Sequence, residues 1–152
     1  MPAFKSLKEL YLHYKEQHPT KLNYEQFGAL ASFFPTLLLI HSDGVIDKQE
    51  AIYIEKLSVS LSNLFREECS SEGALKILQT EFKTQLEYLL NHMEEWQDTF
   101  LDTLKMHLTQ NPESKDLIAN AIEIFAVAAH KNKAEEVNML QHIRERLELK
   151  DE

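Results

Sequence analysis

The sequence predicts an all-α protein, a single compact bundle of about seven helices built from two related helix-turn-helix units. Three observations carry that reading. Only three Gly and four Pro occur in 152 residues, while Leu, Glu, Lys, Ala and Gln, all good helix formers, are abundant. Apolar residues recur at three- and four-residue spacing along most of the chain, and no strand-like alternation of useful length appears. A buried helix, a turn and an amphipathic helix occur between Pro35 and Leu64, and a fainter copy runs from Ala126 to Leu149.

Each element follows from its own signals. Ser6 with Glu9 has the spacing of a capping box and opens a first helix, whose face is Leu7, Leu10, Tyr11 and Tyr14 and which ends before Pro19. Asn23 with Gln26 opens a second. Phe27, Leu30, Ala31, Phe34, Leu37 and Leu38 recur along it, and Phe33, Leu39 and Ile40 fill other faces. A helix apolar nearly all round is buried on all sides, and Pro35 is expected to kink this one by removing a backbone donor. The third helix follows the Asp43-Gly44 turn with a stripe of Ile54, Leu57, Leu61, Leu64 and Phe65, opposite Ser58 and Ser62. It dissolves at Glu67–Ser71. A fourth carries Leu75, Leu78, Phe82, Leu86, Leu89 and Met93, and a fifth, from Glu95 to Gln110, carries Trp96, Phe100, Leu101, Leu104 and Leu108. Asn111-Pro112 is a helix start at which proline's missing donor costs nothing. The sixth helix, with Ile118, Ala121, Ile122 and Phe125, is a second nearly all-apolar one. The seventh begins near Ala134 with Leu140, Ile143 and Leu147. Residues 1–152 thus read as one domain, with Ala29–Ile40 and Leu117–Ala129 as its two most buried helices.

The internal repeat has a defined register. His41 aligns with His130 and Glu50 with Glu136; Ile54, Leu57 and Leu61 then match Leu140, Ile143 and Leu147, at offsets of four, seven and eleven from each glutamate. The second turn is three residues shorter.

An apolar helix running into Asp43-Gly44-Val45-Ile46 with Glu50, duplicated in an all-α domain, resembles the TerB-like family associated with tellurite resistance. The resemblance covers about Asn23 to Leu149. It implies a helical bundle, acidic residues that bind a divalent cation, and a role in stress response or signalling rather than catalysis. Asp43 and Glu50 match the first acidic motif and Glu136 the glutamate of the second. His130-Lys131-Asn132-Lys133 stands where the second Asp-Gly would be.

The residues of the turn support two readings by themselves. Residues 39–50 mimic the second half of an EF-hand loop, with Asp43, Asp47 and Glu50 at its fifth, ninth and twelfth positions. Leu39 and His41 at the first and third positions exclude a complete calcium loop, leaving a partial oxygen-rich site. The candidate metal ligands are therefore Asp43, Asp47 and Glu50, with Glu136 joining if the two turns lie side by side. Alternatively, Asp-Gly is an ordinary turn and Asp47 with Glu50 a capping box, worth about 1 kcal/mol and needing no ligand. His41 and His130 close the two buried helices, where histidine commonly meets the last carbonyls; as a metal pair they would suit zinc better than calcium.

Composition narrows the function classes. A net charge of −9 leaves little basic surface, which disfavours nucleic-acid binding. One cysteine, Cys69, excludes an internal disulfide and a Cys-pair metal site, and it has no adjacent histidine to make it a nucleophile. The N-terminus lacks the apolar core of a signal peptide, and Ala29–Ile40 is too short to span a bilayer, so a cytoplasmic protein is expected. No Ser/His/Asp spacing or phosphate-cradling glycine loop appears, and a metal-dependent hydrolase is the least favoured reading. The sequence points to a non-enzymatic, divalent-cation-binding module with a protein partner or self-association. The alternative is a metal-free interaction or homodimerisation module.

Overall fold

The computed structural model describes residues 6–41, 48–113, 115–116, 118–119 and 134–147, with the backbone alone at 40–41, 48–50 and 134–140. Among these residues there are seven α-helices and no strand: α1 (Leu7–Gln17), α2 (Tyr24–Ser32), α3 (Phe34–His41), α4 (Lys48–Asn63), α5 (Glu72–Asn91), α6 (Met93–Gln110) and α7 (Ala134–Leu147), with a short 3₁₀ turn at Arg66–Glu68. The all-α bundle is as expected. Of the second buried helix, expected over Leu117–Ala129, only Ile118 and Ala119 are described; both are helical, and Ile118 is buried. Gly44, Phe125 and His130 lie outside the described residues.

Two of the caps read from the sequence are present. The Ser6 hydroxyl accepts the Glu9 N–H at 3.2 Å, and α1 ends at His18, one residue before Pro19, where the ring of a following proline disfavours helix. Asn23 and Gln26 form a full capping box at 2.8 and 3.0 Å. A further cap, not read from the sequence, is Ser71, whose hydroxyl accepts the Ala74 N–H at the start of α5.

Three expectations are corrected. The kinked helix from Asn23 to Ile40 is two helices, α2 and α3, separated at Phe33, whose N–H bonds back to the carbonyls of Ala29 and Leu30. Pro35 then stands in the first turn of α3, where its missing donor is not needed. Leu64, just past the end of α4, is 62% exposed, while Ser58 and Ser62 of α4, expected on the outer face, are buried. The buried stripe is Ile54, Leu57, Ser58, Leu61, Ser62 and Phe65, a regular helical spacing. The serines satisfy their hydroxyls on their own helix, at the carbonyls of Glu55 and Val59, and so cost nothing in unpaired donors. Met93 belongs to α6, because α5 and α6 are joined by His92 alone.

The helices close on a single core. The α6 helix is central, touching α1, α2, α3, α5 and α7, while α4 packs along α5. Phe34, Leu37 and Leu38 of α3 are fully buried, as are Phe82, Leu86 and Leu89 of α5, and Leu101 and Leu108 of α6. The α7 helix contributes Ile143 and Leu147 and packs on α3 and α6. It is clamped to α6 by Arg146, which donates to Asp98 at 2.9 Å and Asp102 at 2.6 Å. Among the described residues no helix is long and apolar enough to cross a membrane.

Candidate functional site

The sequence-predicted ligands are spread around two helix starts. Asp43 and Asp47 lie outside the described residues. Glu50 is the third residue of α4 and Glu136 the third of α7, so the two glutamates occupy the same place in their helices. The matched positions further on agree as well: Leu57 and Ile143 are buried, and so are Leu61 and Leu147. Residue 47 immediately precedes α4, the register that a capping box with Glu50 requires. Carboxylates alone make up the proposed donor set, which suits a hard cation. Of the helix-closing histidines, His41 is the last residue of α3. Among the described residues, no three His, Cys, Asp or Glu side chains are grouped as metal ligands.

The described side chains converge elsewhere, where the C-terminus of α1 meets α5. The Tyr14 hydroxyl, fully buried, donates to Gln85 Oε1 at 2.5 Å. Gln85, also buried, donates through Nε2 to Glu81 at 3.0 Å. The same Glu81 oxygen accepts the Thr20 hydroxyl at 2.7 Å and the Lys21 N–H at 2.8 Å. Burial pushes the Glu81 carboxyl up, but the donors from Lys21, Thr20 and Gln85 together outweigh it and hold the group below its usual value. Burial pushes the Tyr14 hydroxyl far above its usual value, and neighbouring Tyr88 and Glu81 push it the same way. It is a fixed donor rather than an acid.

Beside this chain stand three stacked rings. His18 lies on Tyr88 with ring centres 3.7 Å apart and planes 5° from parallel. His92 lies on Tyr88 at 4.3 Å and 27°. Two rings this close and this parallel cannot share one face, so Tyr88 is held between them. Its hydroxyl accepts the indole N–H of Trp96 at 3.0 Å. The histidines showed no ligand spacing along the chain, and the sequence reading missed their meeting. A signal was present: Tyr14 precedes His18 by four residues as Tyr88 precedes His92, and each histidine is the C-cap of its helix, donating its backbone N–H to that tyrosine's carbonyl.

Glu81 also borders a shallow groove of about 310 Å³, lined by Lys21, Cys69, Ala74, Ile77 and Leu78 among others. Ile77 is 67% exposed there. Cys69 Sγ lies 3.5 Å from the Phe65 carbonyl.

The fold and these contacts define the class of protein, a helical bundle with a buried polar network. No protein-family model, curated protein or solved structure matches the chain.

Proposed function

We propose that this protein is a non-enzymatic helical module that binds a divalent cation through Asp43, Asp47 and Glu50, with Glu136 from the second unit, and acts in stress response or signalling as the TerB-like resemblance implies. The observation that carries the reading is the equal placing of Glu50 and Glu136, each third in a helix whose downstream apolar positions match. Carboxylates at these spacings supply the oxygen donors that calcium, magnesium or manganese prefer. The arrival or loss of the ion would be the signal.

Thermal unfolding of chelated protein with added cations tests this. A ligand at a hundred times its dissociation constant stabilises by about 2.7 kcal/mol, which raises the Tm of a domain this size by roughly 5–10 °C. Asp43→Asn removes most of the gain and leaves the metal-free protein nearly unchanged. Melting that is unmoved by calcium, magnesium, manganese and zinc overturns the reading. The metal-free interaction module then replaces it, favoured by Ile52 and Val59, two exposed apolar residues seven positions apart on one face of α4.

A further inference from the structure

We propose that the His18–Tyr88–His92 stack is an acid-sensitive latch, in which protonation of His18 releases the C-terminus of α1 and the strap after it from α5. The geometry at one nitrogen carries the proposal. Nε2 of His18 is sealed from solvent and has no hydrogen-bond partner among the described residues. A neutral imidazole tolerates this by carrying its proton on Nδ1 and leaving a bare lone pair at Nε2. An imidazolium cannot, because it places a charged N–H where nothing accepts it.

The surrounding groups decide the balance. Tyr14 of α1 meets the His18 ring edge-on at 6.0 Å. From α5, Tyr88 presents its face, which attracts a cation, and the Glu81 carboxylate pulls the same way. Glu81, however, is engaged by Thr20, Lys21 and Gln85. His92 occupies the opposite face of Tyr88, with Nδ1 2.8 Å from the Tyr88 carbonyl, and so adds a competing positive charge once it is protonated. From α6, Trp96 reaches Tyr88 only through the hydroxyl. Burial lowers the proton affinity of His18, Glu81 opposes that, and His92 reinforces it, leaving a net downward shift.

The latch has something to release. His18 is the last fixed point of α1 before the strap 19–22, which delivers Thr20 and Lys21 to Glu81 and the Leu22 carbonyl to the Tyr11 hydroxyl. Lys21 and Glu81 are also walls of the groove around Ile77, so loosening the strap reshapes that groove.

Trp96 is the chain's single tryptophan and bonds to the central ring of the stack, so its emission reports the latch. Between about pH 7.5 and about pH 5 the wild-type emission should shift reversibly to the red as Tm falls. His18→Phe keeps a ring on Tyr88 but cannot titrate, and should abolish the emission change. His13→Gln should retain it, although His13 also meets the Trp96 ring. Emission that stays flat in wild type, or that still shifts in His18→Phe, overturns the proposal. Should His18→Phe fail to fold, an NMR titration of the wild-type ring protons decides. A His18 midpoint below the ordinary value of about 6.5, coinciding with the emission change, supports the latch; a midpoint at or above that value sinks it.

Discussion

Tyr14 shows how one side chain can serve both core and network. Its ring packs against Phe27, Trp96 and Phe100, while its hydroxyl holds Gln85 and through it Glu81. Tyr14→Phe preserves the ring and strands the Gln85 carbonyl, so it should cost about 1–3 kcal/mol in urea denaturation. Replacing both partners, as in Tyr14→Phe with Gln85→Met, should cost less than the two single changes added together, because the stranded acceptor goes too. Glu81 gives the network a pH dependence. Its carboxyl is held below its unfolded value, so its contribution is complete above the ordinary carboxylate range and is lost as pH falls through the folded value. Urea midpoints from about pH 7 down to about pH 3 should therefore fall less steeply in Glu81→Gln than in wild type. At this scale the sequence said least. Periodicity finds Tyr14 as an apolar position and puts Gln85 on the face of Phe82 and Leu89, yet spacing does not tell which polar partners a glutamine there will meet.

The helices themselves were far more legible, because caps and apolar spacing are local signals. Ser6, Asn23 and Gln26 do what their spacing predicts. The misreadings arose where tertiary contact decides. Ser58 and Ser62 look like solvent-facing residues, but Leu64 turns outward and they turn inward, next to Leu57 and Leu61. Small side chains there let α4 lie close to α5, an approach also tied at the surface by Glu55, which accepts from Lys83 and Gln79 at 2.8 and 2.9 Å. Ser58→Leu should thus overpack the buried face and cost about 1–3 kcal/mol, whereas Ser58→Ala should lie within about 0.5 kcal/mol of wild type, since the hydroxyl bonds only its own helix. Equal losses for the two would show that the hydroxyl matters more than the space. The break at Phe33 was half-read: Pro35 announced a disturbance, and its arrival two residues earlier reflects proline's tolerance inside a first turn.

At the scale of the molecule, α6 is the shared wall. Phe100 is stacked on Phe34 with ring centres 4.6 Å apart and also meets Tyr14, Phe27 and Trp96, so four elements lose contacts when it is truncated. Phe100→Ala should cost about 3–5 kcal/mol in chemical denaturation. A loss below about 1 kcal/mol would mean that α6 is not the centre of a single cooperative core. The bundle was readable from composition and period, but the partners of each helix were not, because amphipathic stripes say that a face is covered and not by what. The same limit applies to the carboxylates of the candidate cation site. Their spacing is in the sequence, and whether Glu136 meets the first turn depends on packing between distant segments.

The packing of α3 bears on how the chain is made. Its fully buried face is covered in part by α6 and by α7, which ends at Leu147, roughly a hundred residues after α3 is complete. At a synthesis rate of about 5–20 residues per second, the ribosome needs on the order of 5–20 seconds to produce that cover. Throughout that interval the nascent chain carries Leu37-Leu38-Leu39-Ile40 without its final neighbours. Closure of the core over α3 therefore waits on α7, and a nascent-chain chaperone that recognises short apolar runs has its binding segment on offer throughout that interval.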